Sequence, residues 1–460
     1  MLTLLILASI LPYVQANSGT WATLPMNVVP YLTEAAYVPS TVPVLVGTPP
    51  QQMNLTVDVS AGLIATYGSD CILCAGATMF DPSLSSTFKT NNTPWPASVP
   101  SFSGVEVSDT VGFGGVVTVA NQPFVNILDG SNQTFANSIW NGHLGLFLNP
   151  LNATSIAQHV LTHLYKSSSL LNPVVGMRFD PANPKVTIGA LDPNDYEGTI
   201  NWVQLDQSPD PTGDYFNIFE FDGVKGYDGQ FVPYGGNLSA TLDSFFLSIA
   251  LPNADTYFLN TNSTGPVPQP LGLINDTGVV EYNCNSSSPA SLSGPPQSPY
   301  VALTATINGV DYPIDSTGNL LRPQSGASSA GFCPVGIKNR SDTAQPNVVF
   351  GLPFLRSVYI AYRFPTDDCP GYYGFAFPAG SNRTQSQISQ TPTATPTNSA
   401  RCLSLAAPTS TPTANVVLAQ EALASKDAYT VYGEQGTAQV PLTGVYDLPK
   451  IVWNWTALTG

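Results

Sequence analysis

The stretch Leu55-Thr56-Val57-Asp58-Val59-Ser60-Ala61-Gly62 places an aspartate at the end of an apolar, β-branched run and follows it with small residues. That is the pattern of a strand ending in a turn. A second stretch, Ala240-Thr241-Leu242-Asp243-Ser244-Phe245-Phe246-Leu247-Ser248-Ile249-Ala250-Leu251-Pro252, repeats the arrangement. Taken singly, either aspartate reads as an ordinary turn residue. The sequence around them is built from short Val-, Thr-, Tyr- and Phe-rich runs broken by Gly, Pro, Asn and Asp, which reads as all-β. The one helical stretch is Ser155 to Lys166, with apolar residues at i, i+4 and i+8.

A chain of 460 residues with 43% hydrophobic and 10% charged residues has room for two or three domains with sizeable cores. A net charge of −16 with only 14 Lys and Arg excludes a nucleic-acid partner, because nothing would neutralise phosphates. The same scarcity of cations limits self-repulsion when carboxylates protonate, which suits a protein that works in acid; an acidic surface kept for solubility explains the charge equally well. Met1 to Ala16 reads as a secretory signal, an apolar run before Val14-Gln15-Ala16, although the positive n-region is absent and an N-terminal anchor is the other reading. That run is too short to span a bilayer, and no other stretch is long enough.

Export implies paired cysteines, and six of them allow fifteen pairings. Cys71-x-x-Cys74 reads as a structural disulfide or a redox centre, and the second lacks a thioredoxin-like βαβ setting. Eleven Asn-x-Ser/Thr sequons, from Asn54 to Asn454, fit a glycosylated exported protein. Residues Ser381 to Ala414, dominated by Ser, Thr, Pro, Gln and Ala, read as an O-glycosylated linker that cannot fold alone. His159 and His163 have a metal-compatible spacing but no accompanying Glu or third ligand, so neither a metal nor a cofactor is expected. Gly112-Phe113-Gly114-Gly115 lacks the Lys-Ser/Thr of a phosphate loop and reads as a hairpin turn.

Landmark strings recur between about residue 41 and residue 377. They include Val44 to Gln51, Phe80 to Lys89, Ser103-Gly104 with Asp109-Thr110-Val111, and Gly142-His143-Leu144-Gly145-Leu146. Gly189-Ala190-Leu191-Asp192, Tyr196-Glu197-Gly198, and Val349-Phe350-Gly351-Leu352-Pro353 through Tyr359 follow in order. In these segments and in its two aspartate turns the chain resembles the pepsin-like aspartic endopeptidases. The resemblance implies a bilobal all-β double barrel with a central cleft. Its parts would be a signal at 1–16, an N-terminal segment at 17–40, an N-terminal lobe at 41–205 and a C-terminal lobe at 206–380. The linker at 381–414 and a C-terminal segment at 415–460, of no assignable role, would follow. It also implies pairing of Cys71 with Cys74, Cys284 with Cys333, and Cys369 with Cys402.

By the same resemblance Asp58 and Asp243 are the catalytic pair, holding a water that hydrolyses peptide bonds in acid. Two carboxyls about 3 Å apart cannot both ionise, so one acts as base and the other as acid, as in pepsin itself. The expected partner is a peptide or unfolded protein, and the protein is expected to be a secreted or cell-surface monomer.

This chain departs from the family around both aspartates. Val59 and Ser244 stand at the threonine positions, and only Ser244 keeps a hydroxyl. Ser60 and Phe245 stand at the glycine positions, and Ala61 and Phe246 replace the hydroxyls that bond the carboxylates. The flap region Thr93 to Pro100 holds Trp95 but neither Tyr nor Gly, and Trp95 reads as a surface residue held by two prolines. His143 replaces an apolar residue and reads as a buried or edge histidine. The departures leave three readings open: a working acid endopeptidase, an impaired relative that binds peptides, and a surface glycoprotein using the fold as a shape.

Overall fold

The structure, a computed structural model, describes residues 19–28, 40–60, 62–72, 79–95, 103–129, 141–148, 158–206 apart from 168, and 217–254 apart from 227–228, 232–233, 235–237 and 253. It further describes 279–283, 303–320 apart from 316–318, 332–340, 346–408, and the hairpin 429–440 apart from 434–435. The expected signal at 1–16 lies outside these residues.

The first lobe is a seven-stranded sheet in which Thr41–Val46 pairs with both Gln51–Asp58 and Ser103–Phe113, so the sheet curls on itself into a barrel. Val42, Val44, Met53, Leu55, Val57, Val111 and Phe113 fill its interior. The landmark strings are joined here by hydrogen bonds. The Gln51 side chain donates to the Asp81 carbonyl and accepts from the Asp81 amide, both at 2.8 Å. The Gly-rich stretch 112–115 is a hairpin turn, with Phe113 opposite Val117 and both Gly114 and Gly115 at positive φ.

The second lobe holds a six-stranded sheet containing Ser239–Leu242, Val348–Phe350 and Ile249–Pro252, and a three-stranded sheet of 223–225, 303–307 and 310–314. A third, six-stranded antiparallel sheet draws on both lobes. It combines Ala22–Pro25, Val174–Arg178, Lys185–Ile188 and Tyr196–Gln204 with Tyr359–Arg363 and Tyr372–Pro378. Aromatic packing joins it to the second lobe, as Phe375 meets Phe219 at 5.3 Å and Phe354 at 5.8 Å. This is the mainly β, bilobal architecture expected from the sequence.

Two expectations are corrected. The helical stretch is interrupted at His159, which is extended and caps Val160–Lys166, its Nδ1 accepting from the Leu161 amide at 3.2 Å, while 155–157 lie outside the described residues. Val160, Leu161 and Leu164 form the buried face. Residues 381–408, read as a linker, lie against the folded body instead. Thr384 makes a capping box with Gln387, Asn308 bonds Thr393 and Ala394, and the Tyr372 hydroxyl donates to the Thr397 carbonyl at 2.8 Å. Asn172 then exchanges two 2.8 Å bonds with Ala406. The segment cannot bury a core of its own, but it borrows polar partners along its length. Cys402 within it is disulfide-bonded to Cys369, as the resemblance implied. Cys71 is also disulfide-bonded. Its expected partner Cys74, and Cys284 of the remaining pair, lie outside the described residues.

Candidate active site

Each aspartate sits where one strand is threaded between two others. In the first lobe, Gly142–Gly145 runs parallel to Gln51–Asp58, with Val57 opposite Leu144 and Asp58 opposite Gly145, and antiparallel to Ile64–Ile72. In the second, Val348–Phe350 runs parallel to Ser239–Leu242, with Leu242 opposite Phe350, and antiparallel to Ile249–Pro252. Backbone bonds lock both turns to the threaded strand. The Leu146 amide donates to the Asp58 carbonyl at 2.8 Å and the Asp243 amide to the Phe350 carbonyl at 3.1 Å. Glycine is required at 351, where a Cβ would lie 2.1 Å from the Phe246 carbonyl oxygen.

The two turns meet through Ser244. Its buried Oγ accepts from the Val59 amide at 3.1 Å and donates to the Val57 carbonyl at 2.8 Å, spanning the lobes. Val59, buried beside it, has no hydroxyl to return the bond.

Among the described residues, each carboxylate has two donors from its own turn. Asp58 Oδ1 accepts from the Ser60 amide at 2.8 Å and the Ser60 hydroxyl at 2.7 Å. Asp243 Oδ1 accepts from the amides of Phe245 at 2.7 Å and Phe246 at 3.1 Å. Burial lifts the Asp243 carboxyl above the usual carboxylate range. The Phe245 amide draws it back, the Asp58 charge raises it, and the Phe246 amide draws it back again.

The substituted side chains take definite places. The Phe245 ring lies against the His143 imidazole, centroids 5.6 Å apart, and Lys338 Nζ sits 5.6 Å from the centroid of the Phe246 ring. Burial lowers the His143 imidazole below its ordinary range, and the charge of Asp58 offsets part of that. Trp95 is no surface residue: half-buried, it packs on the cluster of Ala65, Tyr67, Val125 and Ile127. Ala61 and residues 96–102 of the flap region lie outside the described residues. His159 and His163 point to protein partners, His159 capping its helix and His163 Nδ1 lying 2.9 Å from Gln122 Oε1.

Sequence reasoning missed two of these residues. It treated Ser60 only as a misfit for glycine, although a serine two residues after an aspartate can reach its carboxylate. It read His143 as structural, although strand alternation places His143 and Asp58 on one face.

Comparison with known proteins agrees with this geometry. The eukaryotic aspartyl protease family matches over residues 40–369. The chain is 27% identical over 326 residues to cathepsin E-B of Xenopus laevis, covering 69% of this chain and 75% of the relative. It is 25% identical to pepsin A of Rhinolophus ferrumequinum, with coverage of 72% and 83%, and 25% identical to rhizopuspepsin-4 of Rhizopus niveus, with coverage of 69% and 73%. With that match, two threaded strands and an aspartate turn beside each, the chain belongs to the eukaryotic aspartyl protease family.

Proposed function

We propose that the protein is an acid endopeptidase that hydrolyses peptide bonds with a water held between Asp58 and Asp243. The observation that carries this reading is that each carboxylate keeps two hydrogen-bond donors from its own turn despite the altered residues. Asp243, raised by burial and by the charge of its partner, enters the reaction protonated and donates to the scissile carbonyl oxygen. Asp58, solvated by Ser60, takes a proton from the water as its oxygen adds to the carbonyl carbon. Collapse of the tetrahedral species breaks the C–N bond as the departing nitrogen takes the proton from Asp58 and a hydroxyl of the gem-diol returns its proton to Asp243 to re-form the carbonyl, so the pair again shares one proton. The substrates are peptides or unfolded chains, and the protein acts as a glycosylated, exported monomer.

A second reading, a relative that binds peptides without cleaving them, is favoured by one observation. Phe245 occupies a glycine position and its ring lies on His143 beside Asp58. A misplacement of even about 1 Å at such a site costs about 100-fold in rate. The test is cleavage of denatured haemoglobin at pH 3 to 5 by purified protein beside the Asp58→Asn/Asp243→Asn double variant. Cleavage that disappears in the variant is the expected result. Identical traces from the two proteins, with peptide binding retained, would establish the second reading.

A further inference from the structure

We propose that His143 is a positioning residue of the cleft floor, its imidazole serving as counter-charge to Asp58 and as the seat for Phe245, so that the site holds an Asp58–His143 pair besides the two aspartates. The starting point is register. Thr56 lies opposite His143 and Asp58 opposite Gly145, so alternation puts Asp58 and His143 on the same face as diagonal neighbours. Glycine at 145 leaves no side chain directly across from Asp58. The intervening pair, Val57 and Leu144, points the other way into the core.

The second lobe supplies the control. Leu242 opposite Phe350 corresponds to Val57 opposite Leu144, so the residue equivalent to His143 is Val349, half-buried like it. An aliphatic side chain suffices for packing at that place in the fold. Histidine occurs in the lobe where its ring also meets an aromatic ring from the opposite turn, 5.6 Å away at 30°. Phe245 is the residue whose amide donates to Asp243, so the contact ties the first lobe's threaded strand to the support of the second aspartate.

The charge that His143 meets is Asp58, which acts in turn on Asp243. Thr56 and Ala65, its neighbours in register, and Phe245 do not titrate. Burial disfavours the imidazolium and the charge of Asp58 favours it.

The inference rests on Asp58 lying at the cleft floor, as in the function proposed above, but its test needs no turnover. The chain has three histidines, so His143→Leu assigns the His143 signal in a titration of the full-length protein followed by NMR. Asp58→Asn is expected to move the His143 midpoint down by ~0.5–1 pH unit, since an opposite charge favours the charged form. The carboxyl signal of Asp58 must respond reciprocally to His143→Gln, which serves as a second route should Asp58→Asn not fold. Phe245→Ala is expected to shift the His143 ring protons through loss of the ring current. A His143 midpoint indifferent to Asp58, or an Asp58 signal indifferent to His143→Gln, would overturn the pairing, and unmoved ring protons would overturn the seating of Phe245. If the protein cleaves, His143→Leu and His143→Gln are expected to move the acid limb of the rate profile the same way, to higher pH, whereas a packing role would separate the two variants. A protein that cleaves nothing yet shows the coupled titration would refute the peptidase reading and leave this one standing.

Discussion

The two aspartate turns are threaded alike and supported differently. Both follow a strand paired in parallel with a threaded segment, and both are tied to that segment by a backbone hydrogen bond. Among the described residues, Asp58 is held by the amide and the hydroxyl of a single serine and Asp243 by two consecutive amides. Among the described residues, the hydroxyl link between them runs from Ser244 into the strand end of the first turn. In both turns the amide two residues after the aspartate points back at its oxygen, so the turn geometry supplies that donor whatever side chain stands there. What the side chains decide is how firmly the two turns are fixed to each other, and there the chain keeps half of a reciprocal arrangement.

The comparison is tested most severely by removing each charge. Asp58→Asn and Asp243→Asn are each expected to lower kcat/KM by about 10²–10⁴-fold, and the double variant by little more than either, since the two act as a unit. Unequal losses would mean that the unlike turns are not equivalent partners. Next comes the pair of helices that follow the threaded strands. In the second lobe Leu352–Leu355 follows Gly351 with no side-chain cap, whereas in the first His159 caps Val160–Lys166. Burial first of all, with a minor contribution from His163, brings His159 down to about 4, while the Phe147 carbonyl opposes the shift. A depressed histidine leaves the unfolded chain binding the proton first. Stability is therefore full above pH 6.5 and falls as the pH drops toward 4, by on the order of 3 kcal/mol. Urea unfolding between pH 7 and 4 should show this slope, and His159→Asn, which keeps a capping acceptor, should flatten it.

Ser244→Ala removes the hydroxyl link between the two turns and leaves the Val59 amide and Val57 carbonyl buried without it, a cost of roughly 1–3 kcal/mol by denaturant midpoint. Val59→Thr makes the converse change. If the missing return bond is what limits the dyad, it should raise kcat/KM while Ser244→Ala lowers it. Loss of activity in both would show that the first turn has repacked around valine and no longer has room for the hydroxyl.

How much of this was legible beforehand differs between backbone and side chains. The fold was readable because its landmark strings are geometric necessities. Gln51 and Asp81 exchange two bonds, and Gly351 lies where no Cβ fits. The break at His159 was not legible because apolar spacing says nothing of a residue leaving the helical conformation to cap the turn that follows. Residues 381–408 looked like a linker because composition measures what a segment can bury by itself, not the partners that Asn308, Tyr372 and Asn172 offer it. At the site, both aspartates could be named from their turns. Compensation was harder to see, because it depends on which hydroxyl or ring a substituted residue presents after the turn has closed.

Ser60 is the case in which that compensation can be measured alone. It is exposed, so truncating it makes no cavity, and its hydroxyl bond to Asp58 is one of two donors from the same residue. Ser60→Ala keeps the amide and removes the hydroxyl, leaving Asp58 with one donor fewer from its own turn. The net value of such a bond to a charged group is roughly 1.5–3 kcal/mol at the upper end, and less where water can replace it, as here. The expected effect is therefore small, about threefold to tenfold in kcat/KM, with the acid limb of the profile moved to higher pH because the ionised base has lost a donor. Ser60→Gly, the residue the family places there, should behave like Ser60→Ala if the hydroxyl is what matters. Should glycine instead raise the rate, space for the substrate backbone would outweigh the donor, and the serine would be a hindrance that the first turn tolerates rather than a support it uses.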